Sequence, residues 1–422
     1  MRGATAATTA TAAPPSRWTW DLDAVADHLV HGHPLGDATF RSGRSFEPDR
    51  ELVTGPAASA PSSRSSRSSR SSDRPPEADA AVEALRAAVA RVPRDAVLSL
   101  SGGWDSRVLL AALLDLGRPP ALVVSGARGT TDREVAEAIA RELGLGLRAV
   151  EVTADRVAAL AGPVAATSGG VLPATNAAGL AHLLAPAGAP TDGDLPPVLL
   201  GAGGELARTY YAARDPRAAT RQAGLDRSHA GVVIAGRHPV PLDEAERRLL
   251  APGLAEALEP DAVTVRRDEV LDRLPGETAL EVADQFFLMQ YGRRKTGADE
   301  AVVSAARDVH LPFFDPDWAA AVSRLDRRWK TGDRWHRHAL ERLQPALLDV
   351  PVPPGPPEHY LDQRMFRSGP LLDLVAAHER DLDDLVDPVL VRRLVSEQRD
   401  HGRRPHVTFA LLALSQWRSV TA

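Results

Sequence analysis

The sequence predicts an α/β fold: a parallel sheet with helices on both faces, followed by a mostly helical C-terminal half. Three observations carry this. Short apolar runs alternate with helical patterns from Asp79 to Val152, in the order β-α-β-α-β. A Gly-rich turn, Ser101-Gly-Gly-Trp-Asp-Ser106, sits between an apolar run and a helical pattern. From Asp243 onward the leucines recur at helical spacing. Parallel neighbours joined by helices require right-handed crossovers and bury both faces of the sheet.

The elements follow in order. Residues 1–16 read as a disordered tail of Ala, Thr, Gly and Pro. Residues 17–53 form an N-terminal segment in which Leu22, Val25, Ala26 and Leu29 fall on one helical face. Gly32, Pro34 and Gly36 stop that helix, and His28, His31 and His33 are expected in an exposed turn. Residues 54–78 read as a linker: Ser-Ser-Arg repeats from Ser62 to Arg70, with prolines on both sides and almost no large apolar residue. Such a stretch cannot offset the entropy of ordering.

Residues 79–420 read as the main domain. A helix over Ala80–Val92 leads into the apolar run Ala96–Leu100. After the Gly-rich turn, Leu109, Ala112, Leu113 and Leu116 mark a helix closed by Gly117 and Pro119. Ala121–Ser125 is a second strand, and Thr131-x-x-Glu134 reads as a capping box opening the next helix. Leu147–Val152 is a third strand, and Pro197–Leu200 a fourth, running into Gly201-Ala-Gly-Gly-Glu205. Pro351–Pro357 breaks the helical half, which closes at Phe409–Trp417.

Composition excludes several chemistries. Of 422 residues, 44% are hydrophobic and 25% charged, as in ordinary globular proteins, and the length allows two to three domains. The net charge of -6 argues against a nucleic-acid partner or an anionic membrane surface. No run approaches a membrane span, and the N-terminus is too polar for an export signal, so a cytoplasmic location is expected. With no cysteine there is no disulfide, thiolate metal site or cysteine nucleophile. Lys295 and Lys330 are the only lysines, so the other 48 of the 50 basic residues are arginines.

The chemistry concentrates in Ser101, Gly102, Gly103, Asp105 and Ser106. Glycines let backbone amides converge on phosphate oxygens, serine hydroxyls add donors, and the helix N-terminus adds positive potential. Asp105 would repel a bare phosphate, but suits a Mg²⁺ that neutralises a polyphosphate. No lysine follows the glycines and no G-x-G-x-x-G is present, which argues against a Walker loop and a dinucleotide fold.

That loop resembles the pyrophosphatase loop of the adenylating ATP-pyrophosphatase (adenine nucleotide α-hydrolase-like) enzymes. Further stretches resemble the synthase domain of the asparagine synthetase-like family: Asp132-x-x-x-Ala136-x-x-x-Ala140-x-x-Leu143-Gly144, Leu200-Gly-Ala-Gly-Gly-Glu-Leu206, Val309-His-Leu-Pro-Phe-Phe-Asp315 and the closing Leu-Ala-Leu-Ser-Gln-Trp417. The resemblance implies an ATP- and Mg²⁺-dependent carbon–nitrogen ligase. A small-molecule or peptide carboxylate is adenylated, and an amine or ammonia then displaces AMP. It also implies that Ser125 touches the nucleoside, that Gly201, Gly203 and Glu205 face the first loop, and that Asp105 and Glu205 hold the metal.

Departures narrow the reading. The family's glutaminase domain and its cysteine are missing, so nitrogen is expected from ammonia, a partner glutaminase or the substrate itself. The last option resembles the β-lactam synthetases and lasso-peptide macrolactam cyclases, the latter with a leader-peptide-binding partner. Ala202 stands where the family has its first glutamate, so asparagine is a less expected product, and a degenerate ATP-binding scaffold is the contrasting reading. The family's late lysine falls at Asp333; Lys330, Arg334 and Lys295 are the candidates for its charge, each with a solvated helix face as the alternative. Asp284 is a further site candidate, as are Tyr210 and Tyr211, with a core role as the alternative.

Overall fold

The computed structural model describes residues 19–46, 76–126, 129–184, 195–212, 218, 221–222, 224–351, 363–367 and 369–421. The tail at 1–16, residues 54–75 of the linker and most of the Pro351–Pro357 break lie outside them.

The N-terminal helix α1 (Leu22–His31) is capped by the Asp21 carboxylate, which accepts from the Ala24 amide at 3.0 Å. It ends at Gly32, whose φ of 80° only glycine adopts without strain. Helix α2 (Pro76–Ala90) opens earlier than the expected Ala80 and absorbs the end of the linker stretch, because Ala78, Ala81, Val82 and Leu85 form a fully buried stripe.

The sheet is five-stranded and parallel. Its strands are β1 (Val97–Ser99), β2 (Leu122–Ser125), β3 (Leu147–Val150), β4 (Val198–Leu199) and β5 (Val309–His310), in the order β3-β2-β1-β4-β5. Helices α3 (Trp104–Asp115) and α4 (Thr131–Glu142) follow β1 and β2, and α5 (Ala154–Thr167) and α6 (Ala174–Leu180) follow β3. This is the ATP-pyrophosphatase type of α/β fold that the sequence predicts. Successive strand residues face opposite sides, and both sides are covered. Leu122 and Val124 pack with Ile139 and Ala140 of α4, whereas Val123 packs with Leu183 and Val303. Helix α4 begins after Thr130, so Thr131 lies inside it and the expected capping box does not form. Strand β5 is two residues long, too short for any periodicity to mark it.

The chain runs outward from β1 through β2 to β3, then returns to place β4 on the other side of β1. Neighbouring strands whose connections leave in opposite directions open a crevice at their carboxyl ends. The loops after β1 and β4 meet there.

The C-terminal half supplies α7 (Pro252–Ala257), α8 (Pro260–Asp272), α9 (Ala279–Phe286), α10 (Gly297–Ser304), α11 (Pro316–Ser323), α12 (Arg334–Leu343), α13 (Pro370–Ala377), α14 (Pro388–His401) and α15 (Pro405–Thr421). A π-helical stretch, Phe287–Thr296, joins α9 to α10. Inside it Gly292 lets the Phe314 ring approach: a Cβ would lie 3.0 Å from Phe314 Cε1.

Helix α1 is buried against α7 and α15 in a second core cluster. This corrects the expectation for the three histidines. His28, His31 and His33 are 2%, 3% and 0% exposed, because α1 is apolar on several sides and Gly32 turns the chain inward. Burial pushes the His28 imidazole down to about 4 and that of His33 to about 3, so both are neutral at physiological pH.

Candidate active site

The first loop is built from its own side chains. Gly103 is the N-cap of α3 in an extended conformation, and its amide donates to Ser101 Oγ at 3.2 Å. The Ser101 amide donates to Ser106 Oγ at 3.0 Å. The Gly102 amide donates to Asp132 Oδ1 at 2.9 Å, and its carbonyl accepts from Arg107 Nη2 at 3.1 Å. Arg107 is fully buried and also donates to the carbonyls of Leu347 and Pro351. The loop is thus pinned from α4 on one side and from the 347–351 turn on the other. The first-turn amides of α3, starting at Trp104, have no partner within the helix and point their partial positive charge into the crevice.

The second loop lies against it. Gly203 has a φ of 96°, and a Cβ there would sit 2.7 Å from the Phe314 ring. At Gly204 a Cβ would fall 2.9 Å from Asp105 Cβ and closer still to its carboxylate. At Gly201 it would lie 3.1 Å from the Ser106 amide. Only glycines permit this approach, and it brings Glu205 beside Asp105. Glu205 Oε2 accepts from the Gly203 amide at 3.0 Å.

Asp105 is the hub. It pairs with Arg208, from the short 3₁₀ helix Gly204–Arg208, and accepts from His336 Nε2 of α12 at 2.8 Å. With an ionised Asp105 as acceptor, Nε2 of His336 is the donor, and Nδ1 is a buried atom without a partner. Arg208 reaches onward to Asp333 Oδ1 at 3.5 Å. Burial works to raise the Asp105 carboxyl, but Arg208 and His336 outweigh it and hold it below the usual range. Glu205 is pushed upward, first by burial and then by the Asp105 charge. Asp105, Glu205 and Asp333 raise the Arg208 guanidinium against its own burial.

Two adjacent carboxylates, one of them raised by the other, are a site short of positive charge, and Arg208 supplies it here. The same pair suits Mg²⁺, which binds one or two carboxylates and takes its remaining ligands from phosphate oxygens and water. Among the described residues no group of three or more His, Cys, Asp or Glu has the geometry of a metal site. Two adjacent carboxylates, Asp105 and Glu205, are the ligand number that such an ion takes from a protein when phosphate oxygens and water complete its shell.

The remaining candidates separate. Ser125 ends β2 beside β1, on the same edge as the two loops. Lys330 is buried and its Nζ donates to Asp284 Oδ2 at 2.9 Å; burial raises the Asp284 carboxyl while Lys330 opposes the rise. Arg334 bonds the Arg328 carbonyl at 3.2 Å. Lys295 Nζ stands 5.1 Å from the Tyr291 ring centroid. Tyr210 and Tyr211 pack edge to face, and the Tyr211 hydroxyl is buried without a partner. Sequence reasoning gave no site role to Arg208 or His336, and it noted Asp132 and Gly204 only as members of motifs. It also missed Arg337, whose guanidinium lies 4.7 Å from the centroid of the Trp104 ring.

The asparagine synthase family model matches residues 80–419, and the chain belongs to that family. Its members are ATP-dependent, amidotransferase-like ligases. No curated protein matches the chain. No described helix is long and apolar enough to cross a membrane.

Proposed function

We propose that this asparagine synthase family member activates a carboxylate with ATP and forms an amide in a specialised biosynthesis. The observation that carries the reading is the contact of the Asp105 and Glu205 loops in the crevice between β1 and β4. A substrate carboxylate attacks the α-phosphorus; the bond to the pyrophosphate oxygen breaks, and an acyl-adenylate forms. An amine or ammonia then attacks the acyl carbon, and AMP leaves with the bonding pair.

The chain's own residues serve the first step. The amides at the start of α3 and the two serines receive the phosphates. Asp105, held in its ionised form by its partners, and Glu205 would hold Mg²⁺, which would supply charge neutralisation for the leaving pyrophosphate. Arg208, which pairs with Asp105 and reaches Asp333, would add positive charge at the same place. It provides the cation missing at Asp333. Lys330 is engaged by Asp284, whereas Arg334 and Lys295 are the candidates for contact with substrate. The amine step has no carboxylate at Ala202 to take its proton, which favours a substrate amine over asparagine formation. Macrolactam closure of a peptide is compatible with that.

One observation favours a second reading. Asp105 is locked by Arg208 and His336, and several loop amides are used internally. A catalytically degenerate scaffold would look the same. Calorimetry with Mg-ATP on the wild type and on Asp105→Ala separates the two. Binding by the wild type that is lost in the variant, with carboxylate-dependent pyrophosphate release, supports the ligase. Binding without carboxylate-dependent pyrophosphate release supports an ATP-binding scaffold, and no binding by folded wild type counts against both ATP-dependent readings.

A further inference from the structure

A cavity of about 1150 Å³ lies away from the two loops. Its walls are the 34–46 segment, residues 167–171 after α5, the π-helical stretch with α10, and β5. It shares no lining residue with the Asp105 and Glu205 loops.

Its charge is one-sided. Arg41, Arg44, Arg293 and Arg294 line it, against Glu300 and Asp308. Two of the guanidiniums converge on one ring: Arg294 lies 4.0 Å and Arg293 5.4 Å from the Phe46 centroid. Stacking on an aromatic face orients a guanidinium and leaves its edge donors free. Arg293 spends one donor on Asp37 at 3.2 Å, and Arg294 one on the Ala38 carbonyl. Arg294 is only 4% exposed, yet its Nε has no partner. Two neighbouring guanidiniums on one ring, with Arg41 and Arg44 in the same wall, form a cationic face to which an oxyanion is complementary. The walls between the arginines are apolar and aromatic, with Phe40, Phe46 and Val171.

We infer that this cavity is a second ligand site, which takes a small oxyanion with an apolar or aromatic body. The arginine edges would bind the carboxylate, phosphate or sulfonate group, and the rings would cover the body. The site is distinct from the reaction centre, so its occupancy does not depend on ATP chemistry.

The test is calorimetric titration of the full chain with naphthalene-2-sulfonate, which cannot be adenylated as a carboxylate is, and with the neutral naphthalene-2-sulfonamide. The proposal expects saturable binding of one sulfonate per chain, at least tenfold weaker binding of the sulfonamide, and an affinity that falls with added salt. The Arg44→Ala/Arg293→Ala variant should bind the sulfonate at least tenfold more weakly, with an unchanged circular dichroism spectrum. Asp105→Ala should bind it as the wild type does. No saturable binding, equal affinity for the neutral amide, or loss in Asp105→Ala would each overturn the proposal. The comparison of the two ligands on the wild type decides the matter even if the arginine variant does not fold. Loss of Mg-ATP binding alone would touch only the ligase reading.

Discussion

Replacing Arg208 by methionine removes the cation between Asp105 and Glu205 while keeping most of the side-chain volume. The Arg208 side chain is 28% exposed and that of Asp105 15%, so the pair is largely buried but not fully dry. Breaking a buried pair by deleting one partner costs roughly 3–5 kcal/mol, because the other charge is left uncompensated. The partial exposure, and the His336 bond that stays, bring the expected loss to about 2–3 kcal/mol. The same deletion removes the competitor for a divalent cation. Mg²⁺ alone should therefore bind the variant more tightly than the wild type. At a hundred times its dissociation constant it would restore about 2.7 kcal/mol. The assay is urea unfolding of both proteins with and without Mg²⁺. A wild type insensitive to Mg²⁺ and a destabilised variant rescued by it would bear the reasoning out. An Arg208→Met variant as stable as the wild type, or one that Mg²⁺ does not rescue, would refute the idea that Arg208 occupies the cation position.

Gly204→Ala should displace the Asp105 carboxylate, since the added Cβ lies within 3 Å of Asp105 Cβ; calorimetry should show Mg-ATP affinity reduced at least tenfold, as in Asp105→Ala. Lys330→Met should destabilise by about 3 kcal/mol by stranding Asp284, and Lys330→Met/Asp284→Asn should recover most of it; additive losses in the denaturation cycle would contradict the pairing. Stability should also fall with acidity. Burial holds His28 and His238 at about 4 and His33 and His182 at about 3, so below pH 6.5 the unfolded chain takes up protons that the fold refuses. Asp27 and Asp299, raised by burial to about 6, protonate in the fold and offset two of those four. For these six groups alone the net of two protons amounts to about 2.7 kcal/mol lost per pH unit between pH 6 and 4. Urea midpoints at pH 7, 6 and 5 check this, and a flat or rising series would show that the buried histidines titrate normally.

The sequence by itself determined whatever is written locally. Strands β1, β2 and β3 and helices α3 and α4 carry their own period, and the turn at Ser101–Ser106 carries its own glycines and helix start. These placed the loop at a strand end and marked Asp105 as its charged member. The glycines of 201–204 pointed to a second close approach, although not to what approaches. Tertiary structure alone decided the rest. Asp105 is 103 residues from Arg208 and 231 from His336, and no local pattern encodes either partner. Lys330 looked like a free cation, yet it is spent on Asp284, 46 residues away. The three histidines near Gly32 looked like a polar turn, yet the fold sets them against Phe40, His238, Phe286 and Tyr291. Strand β5 exists because β4 offers it an edge, not because two residues prefer to be extended. Periodicity and turn chemistry act over a few residues, so a sequence shows them directly. Ion pairs, burial and pKa depend on which distant side chains the fold brings within a few ångströms, and only the folded chain sets those distances.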